Sequence, residues 1–346
     1  MQNEATTGSA ADGEIEDTTV IVCAFTERRL AVTTACIRAV LSQQPPPAAV
    51  VVVIDHNDAL HDELARTFTD PRVSVVKNPS ERGLSHARNA GLARCATSFV
   101  AFVDDDAVPD PGWLAGLTAI LRSGPSVVAA GGHARPRWEQ DAPAWLAAEL
   151  LWTVGCSYAG MAREGPTRNP LGCNMAFRSE VFTRVGGFDP GMGRLGSKPL
   201  GCEETELCLR VRRAQPDAAI LMIEGAEVDH VVTVERCRRR YVLRRCFYEG
   251  VSKALVRLLS DRAALDTERG YVTHALPIAT LRALRAVPRE GTVAAVRAAL
   301  IPSSLVAAAA GYALGRAYFA VRPPRPAPPA IAPASMPGGV PATSDV

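Results

Sequence analysis

The chain has 346 residues, of which 47% are hydrophobic and 21% are charged, and these proportions exclude a fibrous or wholly disordered protein. The net charge of +2 hides a segregation, because residues 236–325 hold 17 Lys and Arg against 5 Asp and Glu, which leaves the rest of the chain acidic. This distribution argues against a general nucleic-acid binder. It favours a carboxylate-rich site attached to a cationic surface.

Nine cysteines are spread from Cys23 to Cys246 without a Cys-x-x-Cys pair. That pattern disfavours a disulfide framework and a structural zinc site, and it indicates reduced thiols in the cytoplasm. Residues 1–17 lack the basic and then apolar order of a targeting peptide, and we predict a disordered tail there. Residues 322–346 are rich in Pro and Ala and are predicted to form a second disordered tail.

The first hundred residues alternate short apolar runs with segments of helical spacing, which predicts βαβ units and a buried parallel sheet. The predicted strands in this part are residues 19–25, 50–54, 73–76 and 99–103, and the predicted helices are residues 30–41 and 83–96. Farther along, we expect a strand at 127–131 and helices at 111–121, 203–213, 236–259 and 263–287. The chain is therefore predicted to have the α/β fold class.

Carboxylates follow two of the predicted strands. Asp55 comes directly after the second strand, and Asp104, Asp105 and Asp106 come directly after the fourth. Ligands of open α/β sheets gather beyond the carboxyl ends of the strands, so we expect both places to share one rim of the sheet. Alternate residues of an extended segment project to the same side, and adjacent carboxylates repel one another unless a cation compensates. The triplet favours a Mg²⁺ or Mn²⁺ site, with a solvated acidic turn as the alternative.

Five ordered blocks of the chain resemble the inverting glycosyltransferases of family 2. They are VIVCAFTER at 20–28, VVIDHN at 52–57, RGLSHARNAG at 82–91, FVDDD at 102–106 and GCEETELCLR at 201–210. The resemblance implies a GT-A (Rossmann-like) fold, with a mixed, mostly parallel sheet flanked by helices and a C-terminal helical region. It places a glycosyltransferase domain at 18–235, with a nucleotide-binding half at 18–110 and an acceptor half at 111–235. A basic and apolar helical region at 236–321 would follow.

The resemblance also implies roles for individual positions. The residues that would bind the nucleotide sugar are Thr26, Glu27, Asp55, Arg88, Asp104 and Asp105, with Asp55 at the base and Arg88 beside Asp104. Asp106 and Asp104 would bind the metal, and His230 stands where some members place a metal-binding histidine. A hydrogen-bonded core histidine is the alternative for that residue.

The acidic block of the resemblance contains the predicted catalytic base. Glu204 would take the proton of an acceptor hydroxyl, but the commoner family pattern is Glu-Asp where this chain has Glu203-Glu204. The extra methylene moves the carboxylate by about 1 Å, so a role shared with Glu203 stays open. Glutamates that merely stabilise a helix N-terminus are the alternative.

The resemblance therefore predicts an enzyme that transfers a sugar from a nucleotide-sugar donor, with UDP-sugar favoured. The acceptor would be a hydroxyl of a glycan, a polyprenyl-linked sugar or a small molecule, and Mg²⁺ or Mn²⁺ would be the cofactor. One alternative is a non-catalytic, membrane-associated protein that binds nucleotide sugars. Another is a sugar-1-phosphate nucleotidyltransferase, whose Gly-rich, Lys-containing phosphate loop has no counterpart in residues 24–30.

Two C-terminal segments bear on membrane association. Residues 236–259 combine eight Arg and Lys with apolar residues at helical spacing, which suits an anionic bilayer surface, a lipid-linked phosphate or the donor diphosphate, with a solvated basic face as the alternative. Residues 303–319 are Ala-rich and shorter than the roughly 20 residues that cross a bilayer core. We predict a cytoplasmic protein, peripheral at the inner face of the cell membrane, with no nucleic-acid partner.

Overall fold

The computed structural model describes residues 15–193, 200–259 and 269–321. The strands are β1 (Glu16–Ala24), β2 (Pro47–Ile54), β3 (Val73–Lys77), β4 (Phe99–Asp104), β5 (Ala107–Pro109), β6 (Val127–Gly131), β7 (Ala134–Trp138), β8 (Gly165–Pro166), β9 (Asn174–Arg178), β10 (Ala219–Met222) and β11 (Val228–Val232). The helices are α1 (Leu30–Leu41), α2 (Asp58–Thr67), α3 (Leu84–Leu92), α4 (Trp113–Arg122), α5 (Glu180–Val185), α6 (Glu203–Ala214), α7 (Arg239–Leu259), α8 (Leu276–Glu290) and α9 (Thr292–Val321). Short 3₁₀ helices occupy Glu27–Arg29 and Ala148–Val154, and a π-helical turn at Tyr271–Ala275 leads into α8.

The central sheet has eight strands in the order β3-β2-β1-β4-β9-β6-β10-β8. Strands β1 to β4 run parallel to one another, β10 runs parallel to β6, and β9 is antiparallel to both β4 and β6. The β-branched run of β2 is buried on both faces, as expected for a central parallel strand. The predicted α/β fold with a mixed, mostly parallel sheet flanked by helices is confirmed.

Helices cover the two faces of this sheet and form two apolar clusters. One cluster joins α1 and α4 to the sheet through Cys36, Ile37, Val40, Trp113, Leu114 and Leu117. The other joins α3, α5 and α6 through Ala87, Leu92, Val181, Phe182, Leu207 and Val211. Full burial of each large apolar side chain contributes about 1.5–3 kcal/mol, so the carboxyl ends of the parallel strands are fixed from both sides.

A second, smaller sheet lies beside the first and has the order β5-β11-β7. Strand β5 begins three residues after Asp104, the last residue of β4, so the chain passes from one sheet to the other across the aspartate triplet. Strand β11 pairs antiparallel with β5 and parallel with β7. This arrangement brings residues near 230 next to residues near 107.

The C-terminal helices pack closely on one another through glycines. A Cβ at Gly250 of α7 would overlap the carbonyl of Ala308 in α9, and a Cβ at Gly311 would overlap the carbonyl of Phe247. The 30-residue helix α9 runs without a break through Pro302, and it is long and apolar enough to cross a membrane by length and composition. The apolar helix is therefore longer than the segment expected at 303–319. Its glycines are contact points between helices.

Several element boundaries also differ from prediction. Helix α7 begins at Arg239, so Arg236, the first residue of the predicted helix at 236–259, lies outside the observed helix. Residues 263–268 of the predicted helix at 263–287 lie outside the described residues, and the remainder forms the π-helical turn and α8. Strand β1 begins at Glu16, inside the predicted N-terminal tail. The rest of that tail, residues 1–14, and the predicted tail at 322–346 lie outside the described residues. The division into two halves at residue 110 stays a prediction.

Candidate active site

The end of β4 places Asp104, the first aspartate of the triplet, at the rim of the sheet. Asp104 is paired with Cys23 of β1, and the chain then turns into β5. The backbone N–H of Val231 in β11 donates to the carbonyl of Asp106 at 2.8 Å, which sets Asp106 beside His230. One ligand atom from each of Asp104, Asp106 and His230 can be chosen so that the three lie within 4.8 Å of one another.

These three side chains fit a single divalent cation. Two carboxylates suit Mg²⁺ and Mn²⁺ alike, and the imidazole adds a ligand that Mn²⁺ accepts more readily. Nε2 of His230 lies 3.4 Å from Oδ1 of Asp106, while Nδ1 faces Sγ of Cys156 at 3.9 Å. The ring fits against Gly155, whose φ is +93° and where a Cβ would lie 2.8 Å from Cε1 of His230. The absence of a side chain at Gly155 thus leaves room for the imidazole beside the two aspartates.

Two arginines that the sequence did not reveal as site residues neutralise this acidic turn. Arg236 donates to Oδ2 of Asp106 at 3.0 Å, and Nη1 of Arg29 forms an ion pair with the same oxygen at 3.0 Å. Arg29 also donates to Oδ1 of Asp105 at 2.8 Å. Arg236 belongs to the basic stretch of the sequence at 236–259, and its position six residues after His230 is the sequence signal that points to the site.

Asp105 is not part of the candidate metal cluster. It is buried, its Oδ2 has no hydrogen-bond partner among the described residues, and burial raises the pKa of Asp105 to about 7. The side chain faces Arg29 and is not among the described residues that line the cavity below. Its predicted role at the nucleotide stays a prediction, and its observed role is to hold Arg29.

Arg88 connects the aspartate rim to the start of α6. Its guanidinium donates to Oδ1 of Asp104 at 3.2 Å, to Oε1 of Glu203 at 2.9 Å and to the carbonyl of Gly172 at 2.8 Å. It also lies over the ring of Phe188, 5.2 Å from the centroid. Burial opposes the charged guanidinium, but Glu203 and Asp104 outweigh it and hold the pKa of Arg88 above its usual value. The sequence placed Arg88 beside Asp104 but missed its bond to Glu203.

The two glutamates at the start of α6 have different surroundings. Glu203 is buried and paired with Arg88 through one oxygen, while its Oε2 has no hydrogen-bond partner among the described residues. Glu204 is half-buried, lines the cavity described below, and accepts a long hydrogen bond of 3.4 Å from Nδ2 of Asn169. Burial and the charge of Glu203 raise the pKa of Glu204 to about 7, which is the range of a group that exchanges protons at neutral pH.

The predicted nucleotide pocket lies at the ends of β1 and β2. Asp55 accepts hydrogen bonds from Nδ2 of Asn78 at 2.7 Å and from the backbone N–H of Gly83 at 3.0 Å, which ties the rim to the start of α3. Oγ1 of Thr26 accepts from the N–H of Arg28 and caps the first 3₁₀ helix, where Glu27 is exposed. These residues share the rim with Asp104, and their contact with a nucleotide base stays a prediction.

A cavity of about 1100 Å³ opens beside this rim. Its acidic end is lined by Arg88, Asp104, Glu203, Glu204 and His230. Its opposite wall comes from α7, the π-helical turn, α8 and α9, through residues that include Arg245, Lys253, Tyr271, Leu276, Leu305 and Tyr312. Trp152 also lines it, beneath the guanidinium of Arg245 at 5.6 Å from the ring centroid. The cavity thus joins the candidate metal centre to the C-terminal helices.

Comparisons with known proteins agree with this geometry. The family model "Glycosyl transferase family 2" matches residues 19–186. A glucosyl-dolichyl phosphate glucuronosyltransferase of Haloferax volcanii is 29% identical over 295 residues, which are 85% of this chain and 93% of that protein. A pre-mycofactocin glycosyltransferase of Mycobacterium tuberculosis is 27% identical over 194 residues, which are 56% of this chain and 39% of that protein.

A solved structure gives the same fold. A mannosyltransferase from Pyrobaculum calidifontis, in complex with GDP-Man and Mn²⁺, superposes with a TM-score of 0.55 at 20% identity, over 88% of this chain and 87% of that one. The chain therefore has a GT-A type fold. Residues 19–186 match glycosyl transferase family 2, as the five sequence blocks predicted, and the chain is a glycosyltransferase.

Proposed function

We propose that this protein transfers a sugar, with inversion, from a nucleoside-diphosphate sugar to a hydroxyl of a lipid-linked sugar acceptor. UDP-sugar is the favoured donor. The name of the Haloferax relative, which aligns over most of both chains, supports an acceptor of this kind. The cavity that connects the acidic rim to the C-terminal helices supports it independently.

The residues that would hold Mn²⁺ or Mg²⁺ are Asp104, Asp106 and His230. Such an ion supplies positive charge where the diphosphate leaving group becomes more negative. Arg88 keeps Asp104 in place and lines the cavity, so its guanidinium adds charge of the same sign. Asp55, Thr26 and Glu27 would receive the nucleotide base along the same rim.

Glu204 is the proposed base. The acceptor oxygen attacks the anomeric carbon, the bond from that carbon to the diphosphate oxygen breaks, and the hydroxyl proton passes to the Glu204 carboxylate. A carboxylate at the cavity surface whose pKa is raised to about 7 can accept that proton and release it to solvent afterwards. Glu203 is paired with Arg88, so we assign it the role of positioning Arg88 and the start of α6.

The observation that carries this proposal is the position of Arg88 between Asp104 and Glu203. One buried guanidinium joins the metal side of the site to the helix that presents the base. The metal ligands, which would hold the donor diphosphate, and Glu204, which would take the acceptor proton, therefore face one cavity at a fixed separation. Attack of the acceptor on the sugar in a single step requires such a separation.

We also propose that the protein works at the inner face of the cell membrane. Helix α8 exposes Ile278, Leu281 and Leu284 next to Arg282, Arg285 and Arg289, which is the composition of a helix that lies in an anionic interface. Helix α9 is long and apolar enough to enter a bilayer by length and composition. A lipid-linked acceptor would reach the cavity from that side.

The test is a donor-release and transfer assay. Purified protein is incubated with Mn²⁺ and UDP-glucose, UDP-glucuronate or GDP-mannose, with and without a glycosyl phosphoryl isoprenol, and nucleoside diphosphate and glycolipid are measured. We expect Mn²⁺-dependent release that is lost in Asp106→Asn, and transfer that falls about 10²-fold to 10⁴-fold in Glu204→Gln. Glu63→Gln on the exposed side of α2 is the matched control. Metal-independent release, or full transfer by Glu204→Gln, would contradict the proposal.

A further inference from the structure

The start of α6 is held in place by side chains of α7. The backbone N–H of Gly201 donates to Oγ of Ser252 at 3.1 Å, and the thiol of Cys202 donates to Oε1 of Glu249 at 3.2 Å. Gly201 and Cys202 are the two residues that precede α6. The helix that presents Glu204 therefore begins at a contact with the C-terminal helices.

Arg245 extends this contact by one turn of α7. Arg245, Glu249 and Ser252 lie four and three positions apart, and this spacing places them on one face of the helix. A Cβ at Gly201 would lie 2.9 Å from Nη2 of Arg245, so the guanidinium packs against the backbone before α6. On α7, Gly250 packs against the backbone of α9. Helix α7 thus lies between the start of α6 and α9, with close contacts to both.

Cys202 is an unusual residue for the start of a helix. The residue before the first turn commonly has an extended backbone and uses a side-chain oxygen to accept a hydrogen bond from that turn. Cys202 instead has a φ of +70°, in the left-handed region that disfavours residues with a Cβ, and its side chain makes no capping bond to the described helix α6. Its thiol is directed to Glu249. The contact with α7 therefore takes the place of a local cap.

Glu249 is ionised and lies between two cations. Its Oε2 is 2.8 Å from Nη1 of Arg245, and its Oε1 is 3.4 Å from Nζ of Lys253. Burial acts to raise the pKa of Glu249, but the two cations outweigh it and lower that pKa to about 2. An ionised acceptor makes a stronger hydrogen bond than a neutral one. The carboxylate is therefore a fixed and strong acceptor for the thiol of Cys202.

The charge of Glu249 also reaches the proposed base. Burial is the largest cause of the raised pKa of Glu204, the charge of Glu203 follows, and the charge of Glu249 adds to both, whereas Arg88 opposes them. Glu249 and Glu204 line the same cavity. The residue that holds the start of α6 is therefore close enough to Glu204 to influence its proton affinity.

We propose that Glu249 is a positioning residue that acts through the thiol of Cys202 to hold the start of α6, and with it the carboxylate of Glu204, at the cavity wall. This inference rests on the proposed function, in which Glu204 accepts the proton of the acceptor. Arg88 holds the same turn from the side of the sheet, through Glu203. The orientation of the base thus depends on the sheet and on the C-terminal helices together.

The first test removes the thiol and then restores a donor. In Cys202→Ala we expect kcat for transfer from UDP-glucuronate to citronellyl glucosyl phosphate to fall about 10-fold to 100-fold, the effect of a small misplacement of a catalytic group. Cys202→Ser keeps a donor and should recover most of that loss. The affinity for Mn²⁺, titrated by electron paramagnetic resonance, should stay unchanged, because the candidate metal ligands lie outside α6 and α7.

Cys95→Ala is the matched control for this test. It removes another buried thiol, which precedes the amino end of β4 and so lies away from the rim, and it should leave kcat unchanged. Equal kcat in the wild type and Cys202→Ala would overturn the proposal. Equal loss in Cys202→Ala and Cys202→Ser would do the same, because the hydrogen bond would then have no part in the effect.

A double-variant cycle tests whether Glu249 acts through Cys202. Glu249→Met keeps the length of the side chain but removes the oxygen that accepts from the thiol, and we expect it to lower kcat at least as much as Cys202→Ala. In that background the thiol has lost its acceptor, so the addition of Cys202→Ala should lower kcat less than about twofold further. Each variant is assayed at a temperature where circular dichroism shows it folded. Losses that multiply in the double variant would contradict an action through Cys202.

Hydrogen exchange measured by mass spectrometry decides the matter without any transfer. The N–H of Gly201 donates to Ser252 and the N–H of Glu206 donates to the carbonyl of Cys202, so both report on opening of this turn. We expect both to exchange about tenfold faster in Cys202→Ala, the effect of one lost charge-assisted bond, while the amides of β2 keep their rate. Unchanged exchange at Gly201 and Glu206 would refute the inference. If their exchange rises but the wild type transfers no sugar, only the proposed function fails.

Discussion

Arg236 and Asp106 are 130 residues apart in the chain, and Nη2 of the arginine donates to Oδ2 of the aspartate at 3.0 Å. The same guanidinium lies 3.4 Å from Nε2 of His230 through Nη1 and donates to the carbonyl of Val154 at 3.2 Å. It therefore contacts two of the three candidate metal ligands. Arg236 is a positioning residue that fixes the orientation of both.

Replacement of Arg236 by Gln should weaken metal binding. Groups that orient metal ligands typically contribute about 10-fold to 100-fold in affinity, and we expect a loss of Mn²⁺ affinity in that range. Titration of the protein with Mn²⁺, followed by electron paramagnetic resonance, measures it. Arg238→Gln removes an exposed arginine two residues away and serves as the control. Equal Mn²⁺ affinity in the wild type and Arg236→Gln would show that Asp106 and His230 are oriented without it.

Replacement of Arg88 by Lys should disconnect the two sides of the site. An ammonium group is a compact donor and cannot span Asp104, Glu203 and Gly172 together as the planar guanidinium does. We expect sugar transfer to fall about 10²-fold, the cost of small misplacements at a reacting centre. Arg88→Met should in addition cost about 3–5 kcal/mol of unfolding free energy, because it leaves the buried carboxylate of Glu203 unpaired. Urea denaturation measures the loss of stability, and transfer kinetics measure the loss of activity. Unchanged transfer by Arg88→Lys would show that Arg88 does not hold the two sides of the site together.

The pH dependence of transfer should report on Glu204. Burial and Glu203 raise the pKa of Glu204 to about 7, so the carboxylate that accepts the proton is depleted as the pH falls below that value. We expect kcat/KM for the acceptor to drop about tenfold per pH unit below about 7 and to level off above it. Measurements at saturating Mn²⁺ keep metal loss out of the profile. If the residual activity of Glu204→Gln falls in the same way below pH 7, the pH dependence belongs to another group.

The contact between α7 and α9 should be sensitive to one methyl group. Gly311→Ala places a Cβ against the backbone of Phe247, and overpacking of this kind costs about 1–3 kcal/mol. Gly270→Ala is the matched control, because Gly270 is helical and a Cβ there meets no atom within 4 Å among the described residues. Thermal unfolding followed by circular dichroism should show a lower Tm for Gly311→Ala and no loss for Gly270→Ala. Equal Tm values would mean that the two helices can separate freely.

Membrane association should depend on the exposed apolar face of α8. Replacement of Ile278, Leu281 and Leu284 by Ser removes three large side chains from that face while Arg282 and Arg285 remain. Because interfacial binding scales with the apolar area buried, we expect the partition coefficient for anionic vesicles to fall about tenfold or more. Co-sedimentation with vesicles rich in phosphatidylglycerol measures it. Binding that persists in the triple variant would assign the contact to α9.

The sheet could be predicted from the sequence because its signals are local. The β-branched run of β2 and the aspartates that end β4 identify a buried strand and its rim without any knowledge of distant contacts. The approach of His230 to Asp106 is different, since it depends on pairing between the three-residue strand β5 and β11, more than a hundred residues later. Such short strands carry little periodicity, and their partners are set by the rest of the fold.

The C-terminal helices were misjudged for a different physical reason. Alanine adds little to hydropathy, and Pro302, Gly311 and Gly315 resemble breaks in a sequence taken alone. In the folded protein Gly311 and Gly315 allow two helices to approach within backbone contact, a cause that only the partner helix reveals. The basic stretch also contains Arg236, Arg245 and Lys253. Charge alone could not predict that Arg236 pairs with Asp106 while the other two pair with Glu249.

The two ends of the cavity come from different stretches of the chain. The carboxylates of the rim lie between Asp104 and Glu204, whereas the wall opposite them comes from α7 and from residues 271–312. Exchange of residues 271–321 for those of a relative would therefore change much of that wall and leave the carboxylates in place. The two sides of the cavity can thus be engineered separately.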